Sequence, residues 1–171
     1  MLYMYHNIAA DSSSLILLAK SGLIDCLVKN SGILITKSVY KEAIEKGKIK
    51  GYQDSYKLEK LLQESKIKIK EPSEKTRRKI ESLCSLYLGE KDTIALALDE
   101  KIPVICDDKK GINACKILGI RFTTALNILL SLSRKERISK NNAFDALEKL
   151  KEFGWYGHGL LEAIEKEIKG E

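Results

Sequence analysis

Short apolar runs that end in carboxylates are the feature that most constrains the fold of this chain. Residues 102–106 have the length and composition of a buried strand, and Asp107 and Asp108 follow them directly. Residues 3–10 are predicted to form the first strand and end in the same way, at Asp11. In open α/β sheets the functional site lies beyond the carboxyl ends of the strands. The two runs therefore predict an acidic cluster at one edge of a parallel sheet.

Helical patterns alternate with short apolar runs along most of the chain, which is typical of β-α units. Further strands are predicted at residues 33–36, 67–69 and 120–123. The run at 67–69 alternates with lysines, so we expect it at a sheet edge. These patterns predict one α/β domain with a mainly parallel sheet, a core of about residues 1–135 and a helical tail of about residues 136–171.

Capping signals predict where several helices begin and end. Ser38 is expected to cap the helix after the second strand, and Gly119 to end a helix as its C′ residue. Gly89 is expected to break one helix before another begins at Glu90 or Lys91.

The net charge of +6 is unevenly placed, because residues 37–80 carry 14 Lys and Arg against 7 Asp and Glu. A basic segment beside an acidic edge suits a nuclease, since one surface attracts the phosphate backbone and the other cuts it. The predicted nucleic-acid-binding side chains are Lys66, Lys68, Lys70 and Lys75. A solvated charged face is the alternative interpretation of these lysines.

The cysteines and apolar stretches indicate a cytoplasmic protein. Cys26, Cys84, Cys106 and Cys115 have no Cys-x-x-Cys spacing and are predicted to be small core residues in a reducing compartment. Only two histidines are available, so a zinc site is not expected. Charged residues interrupt the apolar stretch at 15–28, which therefore cannot span a bilayer, and no signal peptide is recognised at the start.

Asp11 and Glu42 are the first two candidate catalytic acids. Asp is a preferred N-cap residue, but Ser12 and Ser13 are equally able to cap, which favours Asp11 as a metal ligand. Glu42 has an alternative role in an exposed pair with Lys46, four residues on. Its helix starts at the same sheet edge as Asp11, which makes it a candidate.

Two further pairs of acids leave the choice of ligand open. Glu90 and Asp92 stand about 200° apart on a helix, so both cannot face one site. Asp92 precedes a buried run and is the better ligand, while Glu90 is expected to support it or to reach in from the turn. Asp107 and Asp108 point in different directions, and one of them is expected to cap the next helix.

Converging carboxylates favour a divalent cation, because like charges in contact otherwise repel each other. Hard oxygen ligands select Mg²⁺ or Mn²⁺. Such an ion lowers the pKa of bound water and polarises a phosphodiester oxygen. The residue types therefore predict metal-dependent chemistry on a phosphate.

Four segments, in order, resemble the PIN-domain family of nucleases, in particular its prokaryotic and archaeal branch related to VapC-type toxins. The matching pieces are the run Asp11-Ser12-Ser13-Ser14, the segment 36–44 around Glu42, the helix start Gly89-Glu90-Lys91-Asp92 and the strand end Asp107-Asp108. The resemblance covers about residues 1–135, and the tail around Gly154-Trp155 is also similar.

The resemblance implies a three-layer α/β/α sandwich that binds Mg²⁺ or Mn²⁺ and hydrolyses single-stranded RNA. Asp11, Glu42, Asp92 and one of Asp107 or Asp108 would form the acidic quartet, supported by Ser13 and Glu90. It also implies a small antitoxin partner in the active-site groove and a homodimer. A PIN module that binds RNA or a protein without turnover is the alternative function.

The chain departs from the family pattern at two places. Relatives commonly carry an Arg after the Asp-Asp pair, where Ile112-Asn113 stands here, and glycines after the last strand, where this chain has Thr123-Thr124-Ala125. The aromatic turn with Trp155 and Tyr156 is predicted to be a dimer or partner surface, with core packing as the alternative.

Overall fold

A computed structural model describes residues 6–83 and 88–170. Cys84 and the first part of the predicted first strand lie outside these residues. Within them the strands are β1 Asn7–Ala10, β2 Gly32–Ile35, β3 Ile67–Ile69, β4 Val104–Ile105 and β5 Phe122–Thr123.

Helices connect the strands and extend beyond them. They are α1 Ser12–Ser21, α2 Leu23–Leu27, α3 Lys37–Val39, α4 Lys46–Ile49, α5 Gln53–Gln63, α6 Glu74–Leu83, α7 Leu88–Glu100, α8 Lys109–Leu118, α9 Ala125–Arg134, α10 Lys140–Phe153 and α11 His158–Lys169, with a π-helical segment Tyr40–Glu45 between α3 and α4.

The described strands form one parallel sheet in the order β3-β2-β1-β4-β5. The predicted parallel α/β fold is confirmed, and β3 lies at an edge as expected. β1 is central, and Ala10 is aligned with Ile105 of β4. The residues that follow these two strands therefore emerge side by side at the carboxyl edge.

Alternating side chains divide the sheet between two hydrophobic cores, one on each face. Ile8 and Ala10 of β1 join the core formed with α1, α5 and α9–α11, whereas Ala9 joins the core formed with α6, α7 and α8. Helices thus cover both faces, which is the predicted three-layer arrangement.

Two predicted helix boundaries are wrong. Thr36, not Ser38, caps α3: its Oγ1 accepts a hydrogen bond from the Val39 N–H, because β2 ends one residue earlier than predicted. Gly89 does not break a helix but lies in the first turn of α7, where its carbonyl accepts a hydrogen bond from Thr93 Oγ1. Gly119 ends α8 with φ +66° in the left-handed region, as expected.

The remaining expectations on burial are met in part. Cys106 and Cys115 are buried as predicted, whereas Cys26 is only partly buried. No helix in the described ranges has the length and apolarity needed to cross a bilayer.

The last two helices share the first core. Leu147 and Leu150 of α10, with Ile164 and Ile168 of α11, join the apolar cluster that contains Leu15 of α1 and Leu129 of α9. The division into a core and a helical tail stays a prediction, but α10 and α11 contribute buried apolar surface to the same cluster as α1 and α9.

We expect Leu147→Ala to lower the free energy of unfolding by about 2–5 kcal/mol, because it leaves a cavity at a fully buried position. Leu160→Ala on α11, where the side chain is 53% exposed, is the control and should change stability by less than about 0.5 kcal/mol. Denaturant unfolding followed by circular dichroism measures both. Equal stability of the two variants would contradict a shared core.

Candidate active site at the carboxyl edge of the sheet

Asp11 follows β1 and caps α1 with only one of its two carboxylate oxygens. Its Oδ1 accepts hydrogen bonds from the Ser14 N–H at 2.8 Å and from Ser13 Oγ at 3.1 Å. Asp11 is itself the N-cap residue, which is the alternative role that its residue type allowed. Its Oδ2 is buried and has no hydrogen-bond partner among the described residues, in a side chain only 3% exposed. Capping therefore uses one oxygen and leaves the other for a ligand.

Asp107 follows β4 and is held by groups from three parts of the chain. Its Oδ1 accepts a hydrogen bond from the Tyr156 hydroxyl at 2.6 Å. The Ala125 N–H, in the first turn of α9, is shared by both carboxylate oxygens at 3.1 and 3.2 Å. The Asp107 N–H donates to Ser14 Oγ at 3.1 Å. These contacts fix the orientation of the Asp107 carboxylate.

Ser14 connects the two carboxylates. Its side chain is fully buried, its N–H donates to Asp11 and its Oγ accepts from the Asp107 N–H. Burial raises the pKa of Asp107, and the nearby Asp11 charge raises it further, while the bonds from Tyr156 and Ala125 lower it. The net effect is a raised pKa, because the cost of burying the Asp107 charge outweighs these hydrogen bonds.

Neighbouring groups respond to the same environment. Burial, the charge of Asp11 and a direct side-chain interaction with Asp11 raise the pKa of the Cys106 thiol, in that order of size, so the thiol stays protonated beside this carboxylate. Burial and the adjacent Asp107 raise the pKa of Tyr156, which stays a hydrogen-bond donor.

Asp108 has a different role from Asp107. It caps α8, and its Oδ2 accepts from the Lys110 N–H at 2.7 Å and the Gly111 N–H at 3.1 Å. The structure thus places the capping role on Asp108, whereas Asp107 lies near enough to Asp11 for the Asp11 charge to raise its pKa.

Asp92 is buried on α7, as its position before an apolar run predicts, but a cation already contacts it. Arg77 Nε donates to its Oδ1 at 2.8 Å, and Ser38 Oγ donates to its Oδ2 at 3.0 Å. The bond to Asp92 is the largest cause of a raised pKa of Arg77, which also pairs with Glu71 at 2.8 Å. Asp92 is thus 4% exposed and paired.

Glu42 and Glu90 lie at the margin of the site. Glu42 is exposed on the π-helical segment, and its Oε2 accepts from Ser12 Oγ at 2.5 Å, next to Asp11. Glu90 is partly buried in the first turn of α7, so it does not approach from a pre-helical turn. Gly89 brings α7 close to this place, since a Cβ there would lie 3.5 Å from Glu42 Oε2.

The acids are partly assembled. Asp11 and Asp107 are brought together around Ser14, whereas Asp92 and Glu42 are held by separate contacts. Among the described residues, no three His, Cys, Asp or Glu side chains are arranged to hold a metal ion. The unpartnered Asp11 Oδ2 beside Asp107 is nevertheless the kind of hard oxygen donor that Mg²⁺ and Mn²⁺ prefer.

The four predicted RNA-binding lysines are exposed but dispersed. Lys66 and Lys68 line a cavity of about 310 Å³ with Asn7 and Gly32, at the amino end of the sheet. Lys70 lies at the carboxyl end of β3 and pairs with Glu100 at 2.6 Å, and Lys75 lies on α6. The structure therefore does not gather these lysines beside Asp11 and Asp107.

Sequence reasoning missed Ser14, Ser38 and Arg77 as partners of the acids, and gave Tyr156 only a surface or packing role. Ser14 lies in the Asp-Ser-Ser-Ser run and was within reach of a motif argument. Arg77 and Tyr156 lie 15 and 49 residues from the carboxylates they contact, so no local pattern identifies them.

We expect Asp107→Asn to raise the free energy of unfolding at neutral pH in the absence of divalent ions. A raised pKa means that the native state binds the Asp107 proton more tightly than the unfolded chain does. Wild-type stability therefore falls as the pH rises from the ordinary carboxyl pKa of about 3.9 through the raised value. The variant lacks this loss, so the two proteins should converge below about pH 4.

Thermal unfolding of both proteins in EDTA, from below about pH 4 to neutral pH, measures this difference in stability. Asp25→Asn is the control, since Asp25 pairs with Lys57 on the surface and has no buried charge to remove. A variant at Asp107 that is less stable than wild type at neutral pH would contradict the burial argument.

Comparison with known proteins agrees with this architecture. No curated protein matches the chain in sequence. A chain in the crystal structure of VapBC2 from Rickettsia felis bound to a DNA fragment from their promoter is similar in fold. The TM-score is 0.51 and the identity 16%, over 69% of this chain and 98% of that chain. The sequence matches the DUF3368 family, described as a PIN domain, over residues 7–169. The match spans nearly the whole chain, which therefore belongs to the PIN-domain family, whose members are generally nucleases that use divalent metal ions.

Proposed function

We propose that this protein is a metal-dependent endoribonuclease that hydrolyses the phosphodiester bonds of single-stranded RNA, as the toxin of a toxin–antitoxin pair. The observation that carries the proposal is the buried, unpartnered Oδ2 of Asp11 beside the Asp107 carboxylate. A buried anionic oxygen without a donor is unfavourable. A cation bound to the Asp11 Oδ2 would compensate for the missing hydrogen bond.

Asp11 and Asp107 would hold the ion, Mg²⁺ or Mn²⁺. A bound divalent ion lowers the pKa of its water and polarises a phosphoryl oxygen, which is the chemistry that hydrolysis requires. Asp92 would line the site from α7, where Arg77 and Ser38 set the direction of its carboxylate. Glu42, held by Ser12, would face the substrate side.

Hydrogen bonds from neighbouring residues hold the Asp11 and Asp107 carboxylates in fixed positions near each other. Ser14 is bonded to both strand ends, and the hydroxyl of Tyr156 and the N–H of Ala125 orient Asp107. Ala125 lies in the segment where relatives carry glycines, and its backbone N–H makes this contact, so the departure after β5 does not remove this donor. Asp108 keeps α8 in place beside the site.

Fold similarity to a chain of the VapBC2 complex supports an antitoxin partner. A small antitoxin segment in the groove and a second copy of the chain as a homodimer are the partners that the family resemblance predicts. We place the action of the protein in the cytoplasm, where single-stranded RNA is its substrate.

A PIN module that binds without turnover is the second candidate. The ion pair between Arg77 and Asp92 favours it, because a guanidinium occupies an acid that the quartet would use. Metal-dependent cleavage separates the two candidates.

We expect the protein to cut a labelled single-stranded RNA with Mg²⁺ or Mn²⁺ and to lose this activity in EDTA. Asp11→Asn should lower the rate by at least about 100-fold, because it removes a ligand charge, while Asn, also a preferred N-cap residue, preserves the cap. Asp25→Asn is the matched control and should cut normally. Equal cutting by the Asp11 and Asp25 variants would refute the site, and RNA binding without cutting would favour the second candidate.

Binding of the ion should also be visible without turnover. We expect Mn²⁺ to raise the melting temperature of the wild-type protein relative to EDTA. The stabilisation is about 2.7 kcal/mol when the free ion reaches 100 times its Kd. Asp11→Asn should respond less, in the same differential scanning measurement. An equal response of both proteins would place the ion elsewhere.

A further inference from the structure

A cavity of about 520 Å³ opens beside Asp107, between α1 and the turn that joins α10 to α11. Its lining includes Asp107 and Ser13 as well as Phe153 and Trp155. The volume lies in the range of about 300–1,000 Å³ that is usual for ligand sites. The cavity is thus continuous with the candidate active site.

The turn presents two aromatic rings to this cavity. Trp155, the sole tryptophan of the chain, is fully exposed, and Phe153 is 42% exposed. A single exposed apolar residue is common, but here two aromatic side chains line the same cavity next to an acid that the hydrolysis would use. Nothing in core packing requires this exposure of Trp155.

Gly154 allows neighbouring aromatics to point in opposite directions. A Cβ at Gly154 would lie 2.2 Å from the Tyr156 ring and 2.7 Å from the Leu150 carbonyl oxygen, so only glycine fits. Tyr156 turns inward and bonds Asp107, while Trp155 turns outward. Within this turn, the exposed indole of Trp155 is therefore next in sequence to Tyr156, whose hydroxyl bonds the Asp107 carboxylate.

Cations accompany the rings. Lys20 Nζ lies 4.5 Å from the centre of the Phe153 ring and pairs with Asp54 at 3.2 Å. Lys109, exposed at the start of α8, also lines the cavity. Aromatic rings that accept stacked bases, beside cations that attract phosphates, are the combination found in proteins that bind single-stranded nucleic acids.

We propose that Trp155 and Phe153 form a stacking platform for an unpaired base of single-stranded RNA, next to the phosphodiester at Asp107. Lys109 supplies positive charge for the adjoining phosphate, while Lys20, which is paired with Asp54, lies against the Phe153 ring. The platform gives a preference for single strands, because both faces of a base inside a duplex are already covered by the neighbouring base pairs, whereas an unpaired base can turn a face to the rings. This assignment rests on the proposed ribonuclease function and adds a binding subsite to it.

The sole tryptophan reports on this site directly. In the Asp11→Asn protein, a single-stranded oligoribonucleotide is expected to quench Trp155 fluorescence. An abasic strand of the same length, which carries the same phosphates, should quench much less, as should a blunt duplex. Equal quenching by the abasic strand would overturn the stacking assignment. Unaltered fluorescence with the single strand would overturn it as well, and is the result expected if the turn binds a protein partner instead of RNA.

Substitutions at Trp155 test how much its ring contributes to the affinity for RNA. Trp155→Ala should weaken binding of labelled RNA, measured by anisotropy, by about 5- to 150-fold, the range for loss of one base–aromatic stack. Trp155→Phe should restore most of the affinity. Tyr56→Ala is the matched control, because Tyr56 is an exposed aromatic (46%) on α5, away from the cavity. Wild-type affinity in Trp155→Ala would overturn the proposal.

Cleavage assays separate failure of this proposal from failure of the proposed function. If wild type cuts RNA and Trp155→Ala cuts with the same KM, the platform is refuted and the nuclease stands. If the strand quenches Trp155 but wild type never cuts, the platform is supported and the hydrolysis is refuted. A raised KM with a smaller change in kcat supports both.

Discussion

The parallel pairing of β1 with β4 places two carboxylates of like charge, Asp11 and Asp107, next to each other at the carboxyl edge of the sheet. Alignment of Ala10 with Ile105 brings Asp11 and Asp107 out of the sheet side by side, with Ser14 bonded to both. Burial raises the cost of the Asp107 charge, as the raised pKa of this carboxyl reflects. The cap on α1, the first turn of α9 and the C-terminal turn all supply donors to the two acids, so three surrounding elements hold the pair in position.

The strand ends were predictable from sequence, whereas the partners of the acids were not. Alternation of apolar runs with helical patterns correctly predicted a parallel sheet with β3 at its edge, because periodicity and flanking residues carry that information. Thr36 and Ser38, two positions apart, are both hydroxyl residues able to cap a helix, so the predicted helix start was misplaced by two residues. Arg77 and Tyr156 reach the acids only through tertiary packing, which a single sequence does not encode in any local pattern.

The distribution of charge also depends on tertiary structure. Residues 37–80 are basic as a segment. In the fold, Lys66 and Lys68 lie toward the amino end of the sheet, Lys70 pairs with Glu100, and Arg77 is directed to Asp92. A basic stretch of sequence therefore does not become one basic surface. Near the acids, cations come instead from α1 and the start of α8, in Lys20 and Lys109.

Tyr156 is synthesised after both Asp11 and Asp107, although its hydroxyl orients the Asp107 carboxylate. Translation produces Asp11 first and Asp107 much later, and the hydroxyl that orients Asp107 follows a further 49 residues on. A nascent chain that has released only the sheet holds both acids but lacks this donor. The hydrogen bond that orients Asp107 can therefore form only after α10 and the turn beyond it have been synthesised and packed against the sheet.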